Sequence, residues 1–346
     1  MVRNIVVGAE GAQAARSAPV RSGMPENRGV VATLLEVKGE MGRHGRDGGT
    51  GPIAARRRQQ RGLASVVCPT EEAAMSTVST PDEPTSETQA AKAAALRALH
   101  ERPDPFVIAN AWDIASARML EAAGFAALAT SSAAAAEAVG RRDGQLTREE
   151  TLAHIRLLAG ATPLPLSADL GNGFGHRPED CALTIRLAAE AGAVGGSIED
   201  SSSEGGAPIL DFDLAVERVA AAVEAARALP FPFLVTARSE NFLHGINDLD
   251  DTIRRLQAFE RAGADVLFAP LLPDLDAVRR VCASVTKPVN FMAGIPARSF
   301  TVRELGEAGV KRVSLAMSLF RHAMKAARLA AEEIRDHGSF GYLDQR

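Results

Sequence analysis

The sequence predicts an α/β protein, a closed (β/α)8 TIM barrel preceded by a disordered N-terminal extension. Three observations carry this reading. Eight short apolar runs alternate with amphipathic helical segments from about Gln89 onward, four of the helix-to-strand joints are built alike, and the apolar runs are unbroken rather than alternating. The expected division is an extension over residues 1–88 and a barrel over 89–346.

The strand candidates, in order, are residues 106–110, 126–130, 164–169, 194–199, 233–238, 266–269, 289–291 and 312–315. Helical patterns between them cover residues 113–123, 148–159, 178–191, 214–228, 249–262 and 302–308, and a last one covers 318–336. The joints Glu121-Ala-Ala-Gly124, Glu190-Ala-Gly192, Glu260-Arg-Ala-Gly263 and Glu307-Ala-Gly309 each end a helix on glycine. Glycine accepts the left-handed cap that lets the next strand start at once. Strands apolar on both faces belong to a parallel sheet covered by helices. Eight such units in roughly 250 residues is the size of one closed barrel. An open doubly wound sheet shares the rhythm, but no glycine-rich dinucleotide fingerprint follows the first strand.

The chain of 346 residues is 46% hydrophobic and 24% charged, ample for a large core, and its net charge of −4 points to no nucleic acid or anionic membrane. A small-molecule partner is expected. Cys68, Cys181 and Cys282 lie far apart without metal-ligand spacing, which suits a reducing compartment. No stretch has the roughly 20 apolar residues of a membrane helix and no secretory signal opens the chain, so a cytoplasmic protein is expected. Residues 1–74 are rich in Gly and Arg with no sustained period, and only residues 30–37 resemble a short element. That basic run reads either as a nucleic-acid-binding tail or simply as solvated charge. Met75 opens a Ser/Thr/Pro/Glu segment typical of a native N-terminus, so the stretch before it is set apart from the fold.

In a parallel barrel the chemistry forms at the carboxyl ends of the strands. There stand Asn110, Thr130-Ser131-Ser132, Ser167-Ala168-Asp169, Glu199-Asp200 and Arg238-Ser239-Glu240-Asn241, with Asp143-Gly144 in the connection after the second strand. Asp169, Glu199 and Asp143 would repel one another without a cation between them, and oxygen ligation alone selects a hard ion, Mg2+ or Mn2+ in its place. Taken singly, Asp143 or Asp200 could be a helix cap or loop acid. Glycines in Asp169-Leu170-Gly171-Asn172-Gly173-Phe174-Gly175 would let backbone approach a ligand. Arg238 suits a carboxylate or phosphonate, or else a salt bridge across the barrel mouth. His176 and His244 lie in loops at this rim, where His244 could serve as acid or base. Trp112, the single Trp, is either a pocket wall or packing for the first helix.

With those residues placed, the barrel resembles the isocitrate lyase / phosphoenolpyruvate mutase superfamily over residues 95–340. The matching stretches are Asn110-Ala-Trp-Asp-Ile-Ala-Ser-Ala-Arg118, Thr130-Ser-Ser132, Ser167-Ala-Asp-Leu-Gly-Asn-Gly-Phe-Gly175, Gly196-Ser-Ile-Glu-Asp-Ser201 and Thr236-Ala-Arg-Ser-Glu-Asn-Phe-Leu243. The resemblance implies a lyase with Asp169 as direct Mg2+ ligand and Glu199 and Asp143 holding the ion's waters. It also implies that Ser131 and the Ser132 amide bind the substrate carboxylate, aided by Arg238, with Trp112 and Asn241 completing the substrate site. Arg238, Glu199 and Asp143 form the implied catalytic set.

Two departures narrow the activity. The second Asp that many members carry is Ser167 here, and Gly171-Asn172 lengthens the turn. After Glu199-Asp200 the chain reads Ser201-Ser-Ser-Glu-Gly-Gly-Ala-Pro208, without the lyases' Cys acid/base or the mutases' Lys- and Asn-bearing gate. That segment is expected to be a mobile lid. The function expected is a Mg2+-dependent lyase, decarboxylase or hydrolase on a small 2-oxo or 2-hydroxy acid, passing through an enolate. A C–P enzyme of phosphonopyruvate hydrolase or mutase type and a catalytically degenerate ligand-binding barrel are the alternatives. The last helix, carrying Leu319, Met324, Leu329 and Ile334, either closes the barrel or packs on a neighbouring subunit; a homo-oligomer, dimer or tetramer, is expected.

Overall fold

A computed structural model of the chain describes residues 86–202, 206–295 and 300–344. The 30–37 segment and the arginine-rich stretch lie outside the described residues, as do residues 203–205 of the expected lid.

Eight parallel strands close on themselves in sequence order. They are β1 (Phe106–Asn110), β2 (Leu128–Ala129), β3 (Leu166–Asp169), β4 (Gly195–Glu199), β5 (Leu234–Arg238), β6 (Val266–Phe268), β7 (Val289–Met292) and β8 (Arg312–Ser314). Closure comes from β8 pairing with β1, with Phe106 opposite Arg312 and Ile108 opposite Ser314, which removes the open-sheet alternative. The helices after α1 (Ser86–Glu101) are α2 (Ile114–Ala122), α3 (Ser132–Ala138), α4 (Arg148–Ala161), α5 (Pro178–Glu190) and α6 (Phe212–Arg227). They continue with α7 (Leu249–Arg261), α8 (Leu275–Ala283), α9 (Val302–Glu307) and α10 (Ser318–His337).

The four repeated joints are left-handed at the expected glycines, with φ of 87° at Gly124, 99° at Gly192 and Gly263, and 97° at Gly309. At Gly263 and Gly309 a Cβ would also meet Val223 and Cys282 within 2.9 Å, so the close helix-to-strand turn there depends on the missing side chain.

Helix α1 covers the amino ends of the strands. His100 stacks edge-on against Phe106 with ring centroids 5.0 Å apart, and Leu96 closes on Gly195. Gln89 donates to the carbonyls of Ala189 and Ala193, and Lys92 to those of Ala159 and Thr162. These bonds tie α1 to the carboxyl-terminal ends of α5 and α4.

Inside the barrel the side chains are unusually polar. Asn110, Ser167, Ser197, Thr236, Asn290 and Arg312 are all buried, where a barrel interior is normally filled by branched apolar residues. The apolar core lies between strands and helices instead, built on residues such as Leu128, Leu166, Ile185, Phe233 and Phe259. Among the described residues no helix is long and apolar enough to cross a membrane.

Candidate active site

The carboxyl ends of β3, β4 and β5 each finish on a charged residue because register aligns them. Asp169 lies opposite Ser197, and Glu199 lies directly opposite Arg238. The guanidinium of Arg238 therefore falls among acids: Nη1 is 3.0 Å from Asp169 Oδ1 and 3.1 Å from Glu199 Oε2, and Nε donates to Glu240 Oε1 at 2.8 Å. Its face lies 5.0 Å from the Phe268 ring centroid. Three carboxylates share one cation.

That imbalance sets their protonation. Burial pushes Glu199 up to about 8; Arg238 opposes the shift, while Glu240 and Asp169 reinforce it. Glu240, fully enclosed, is raised chiefly by burial. Burial would raise Asp169 too, but the charge of Arg238 and hydrogen bonds from Ser132 and Gly171 outweigh it and hold the group below its usual range. Asp169 is thus the carboxylate that stays ionised. Burial pushes the neighbouring Asp200 up to about 6. Asp200 accepts from the Glu240 amide at 2.8 Å and from Arg255 at 3.1 Å, which fixes the strand-end backbone from behind.

Ser131 caps α3, its hydroxyl accepting from the Ala134 amide, and the Ser132 amide donates to Asp169 Oδ2 at 3.1 Å. The turn after β3 is held by two arginines. Arg148 donates to the carbonyls of Gly173 and Phe174, while Arg218, almost fully buried in α6, donates to Gly175 and Asn172. Gly173 has φ of 80°, and a Cβ there would fall 2.8 Å from Cys181 Sγ, so the turn requires glycine.

Two cavities meet at this cluster, with Asp169 and Arg238 lining both. The inner one, about 80 Å3, lies inside the barrel against Ser131, Ser167, Ser197, Asn290, Arg312 and Ser314. An outer one of about 510 Å3 is walled by Ser132, Asp143, Asn172, Glu199, Ser201 and His244. His244 Nε2 is 3.1 Å from Ser201 Oγ. The expected lid is pinned at its base by a bridge between Ser201 and Ile209 and by the Ser202 amide donating to Pro208.

Of the residues singled out from the sequence, Asp169, Glu199, Arg238, Ser131 and Ser132 lie together. Asp143 lines the same outer cavity but stands exposed, apart from the acidic cluster. Asn241 and Trp112 line neither cavity. Asn241 is fully buried with Nδ2 donating to Asp251 at 3.0 Å, and Trp112 packs edge-on against Phe320 at 5.6 Å. Asn110, the first residue of the matching motif, staples three strand ends by bonding the Thr130 carbonyl and the Leu315 amide. Glu240 stands in the quoted strand-end stretch but was given no role, and Arg218 and Arg312 were not singled out. The place of Glu240 directly after Arg238-Ser239 was an available signal.

Among the described residues no three His, Cys, Asp or Glu side chains are close enough to hold a metal by themselves. The donor chemistry still fits a hard divalent ion that keeps several water or substrate oxygens. The acids outnumber the single guanidinium among them, and Glu240 Oε2 is buried without a hydrogen-bond partner.

Comparison with known proteins agrees with this geometry. The phosphoenolpyruvate phosphomutase family profile matches residues 96–335. A Mycobacterium tuberculosis protein is 34% identical over 241 residues, covering 69% of this chain and 88% of its own. The 2-methylisocitrate lyase of Salmonella typhimurium is 31% identical over 255 residues, covering 71% of this chain and 85% of that enzyme. A solved structure from Burkholderia cenocepacia J2315, described as a candidate lyase/mutase, matches with a TM-score of 0.74 and 52% identity over 75% of this chain and 94% of its own. With the barrel closed and its acids gathered at the strand ends, the chain belongs to the phosphoenolpyruvate phosphomutase family and is an enzyme of the isocitrate lyase / phosphoenolpyruvate mutase superfamily.

Proposed function

We propose that this enzyme is a Mg2+-dependent lyase, Mn2+ serving in place of Mg2+, that cleaves a C–C bond in, decarboxylates or hydrolyses a small 2-oxo or 2-hydroxy acid through an enolate. The observation that carries the reading is the group of Asp169, Glu199 and Glu240 around Arg238, at the boundary of two cavities. Asp169 and Glu199 would hold the ion, with Asp143 reaching its waters from the outer wall. When bound, the ion supplies positive charge to stabilise the negative charge that develops on the 2-oxo oxygen.

The remaining work falls to the chain's own groups. Arg238 neutralises the acids in the free protein; once they turn toward a cation, its guanidinium is available to a substrate carboxylate. Ser131 and the Ser132 amide stand beside Asp169 and orient the same end of the substrate. Protons are handled at His244 through Ser201; Glu199, protonated near neutral pH in the free protein, would give up that proton as the ion binds. This Ser and His take the place of the thiol that the lid segment lacks.

The family profile also favours a second reading, C–P bond chemistry on a phosphonopyruvate-type substrate. One assay separates the possibilities: oxaloacetate, 2-methylisocitrate and phosphonopyruvate are offered with and without Mg2+, and pyruvate or the other expected product is measured. Full turnover in chelator, or in Asp169→Ala, refutes the metal-dependent reading. A ligand-induced rise in melting temperature with no product from any of the three favours a binding barrel.

We further propose that the enzyme is a homo-oligomer, a dimer or tetramer, assembled through α10. Phe320 is the only buried residue of that helix, while Met324, Leu329 and Ile334 are 54%, 50% and 40% exposed. Met324 and Ile334 stand on the side of the helix that carries Phe320, with Leu329 on the opposite side, and large apolar side chains exposed around one helix suit contact with another subunit.

A further inference from the structure

Arg312 opens β8, and its side chain crosses the barrel interior. Nε donates to Asn290 Oδ1 at 2.8 Å and Nη2 to Thr236 Oγ1 at 3.0 Å. Only 5% of the residue is exposed. Among the described residues it forms no ion pair, in contrast to the three acids around Arg238. Burial and the like charge of Arg238 push it down to about 9, and no acid acts the other way. His100 nearby carries no charge of either sign, since burial and Arg312 itself push its ring down to about 3 and leave it neutral. A buried guanidinium with only neutral partners is costly, and one used merely to fill a barrel is readily replaced by an apolar side chain.

The inner cavity supplies what Arg312 lacks. It is lined by both arginines and by the hydroxyls of Ser314, Ser167 and Ser197. Ser314 Oγ accepts from Asn290 Nδ2 at 3.0 Å, which leaves the hydroxyl proton free to donate. A volume of about 80 Å3 holds several water molecules, or a carboxylate with the carbon that carries it. Asp169 and Arg238, shared with the outer cavity, set this space directly beneath the proposed reacting centre.

We infer that Arg312, with Asn290 and Ser314, is an anion-binding, specificity-determining subsite that draws a second carboxylate of the substrate into the barrel. The substrate class is then a short dicarboxylate, with the 2-oxo or 2-hydroxy acid end at Asp169 and Arg238 and the far carboxylate at Arg312. This rests on the proposed 2-oxo acid chemistry. It adds to that proposal the residues that would hold the far carboxylate.

Binding rather than turnover tests it. Malonate and propionate, which differ by one carboxylate, are titrated calorimetrically into the full chain with and without Mg2+, using wild type, Arg312→Met and Arg312→Lys. Wild type is expected to bind malonate at least tenfold more tightly than propionate, Arg312→Met to lose that preference, and Arg312→Lys to keep part of it. Equal binding of the two acids by wild type, or an undiminished preference in Arg312→Met, overturns the inference. Should Arg312→Met fail to fold, Ser314→Ala and Arg312→Lys carry the same comparison, and an unchanged preference in both overturns it. The outcome is separable from the proposed lyase chemistry: loss of metal-dependent turnover in the substrate panel refutes that chemistry whatever malonate does, and turnover without dianion preference refutes only the subsite.

Discussion

Replacing Glu199 by Gln should flatten the pH dependence of stability in the metal-free protein. An ordinary glutamate ionises near 4.5, whereas native Glu199 keeps its proton up to about 8. Between those values the native state binds more protons than the unfolded chain, so stability is greatest below pH 4.5 and declines as pH rises through 8. At ~1.4 kcal/mol per pH unit, tapering near 8, the loss from pH 6 to pH 8 is about 2 kcal/mol. The side chain is only 17% exposed, so solvent screening removes little of this. For a domain of this size the fall in Tm is roughly 4–8 °C. The assay is thermal unfolding of wild type and Glu199→Gln in chelator at pH 6, 7 and 8. Glu240 and Asp200 feel the charge of Glu199, so the difference between the curves reports residue 199 together with its effect on those two acids. A difference that stays constant across the three pH values refutes the assignment. Added Mg2+ should stabilise wild type more at pH 8 than at pH 6, because the ion takes up the charge that the released proton leaves.

Four other outcomes follow from the same geometry. Asp169→Asn keeps the fold and loses Mg2+-dependent turnover by about a thousandfold or more, read by steady-state kinetics beside circular dichroism. His244→Gln lowers kcat by roughly a hundredfold with little change in KM, as removal of a proton carrier does; an equal change in both parameters would reassign it to binding. Arg218→Ala strips the donors from two carbonyls of the turn after β3 and costs about 2–4 kcal/mol in chemical denaturation, with a raised KM. Met324→Glu with Leu329→Glu on α10 shifts the sedimentation profile to smaller species; an unchanged profile refutes assembly through that helix.

The barrel was legible because its strands are buried on both faces and its helix ends repeat. Residues 194–199 read as an unbroken run, and β4 occupies 195–199 of it. Gly124, Gly192, Gly263 and Gly309 signalled the caps because no other residue takes that conformation so cheaply. The rim was legible in part, since a polar residue ending an apolar run stands out: Asp169, Glu199 and Arg238 all do. Arg312 did not, because a charged residue opening a strand looks like a solvated end, and only the neighbouring β7 and distant β5 reveal it as enclosed. Asn241 shows the opposite failure. It lies three residues past Arg238 in a matching motif, yet the chain turns it inward onto Asp251. Helix α1 escaped because alanines dominate it and it follows a Ser/Thr/Pro/Glu stretch, so its buried face of Ala93, Leu96 and Leu99 carries a weak pattern.

Charge is distributed across the two cavities so that neither side is balanced alone. On the outer side Asp169, Glu199 and Glu240 oppose the single cation of Arg238, and one acid must stay protonated near neutral pH. On the inner side Arg312 forms no ion pair among the described residues, although Asp169 reaches the wall of that cavity. Stability alone would favour a carboxylate of the chain paired with Arg312. The separation instead suits a ligand with the opposite polarity, a cation held outside and a carboxylate held inside, bound as one complex. Each component would relieve a desolvated charge, and each would bind more tightly in the presence of the other, because Arg238 sits between them and is released by the first. Mg2+ should therefore tighten malonate binding, and malonate should tighten Mg2+ binding by the same factor. Calorimetric titration in both orders measures it, and independent binding of the two would show that the charges on either side of Arg238 are not coupled.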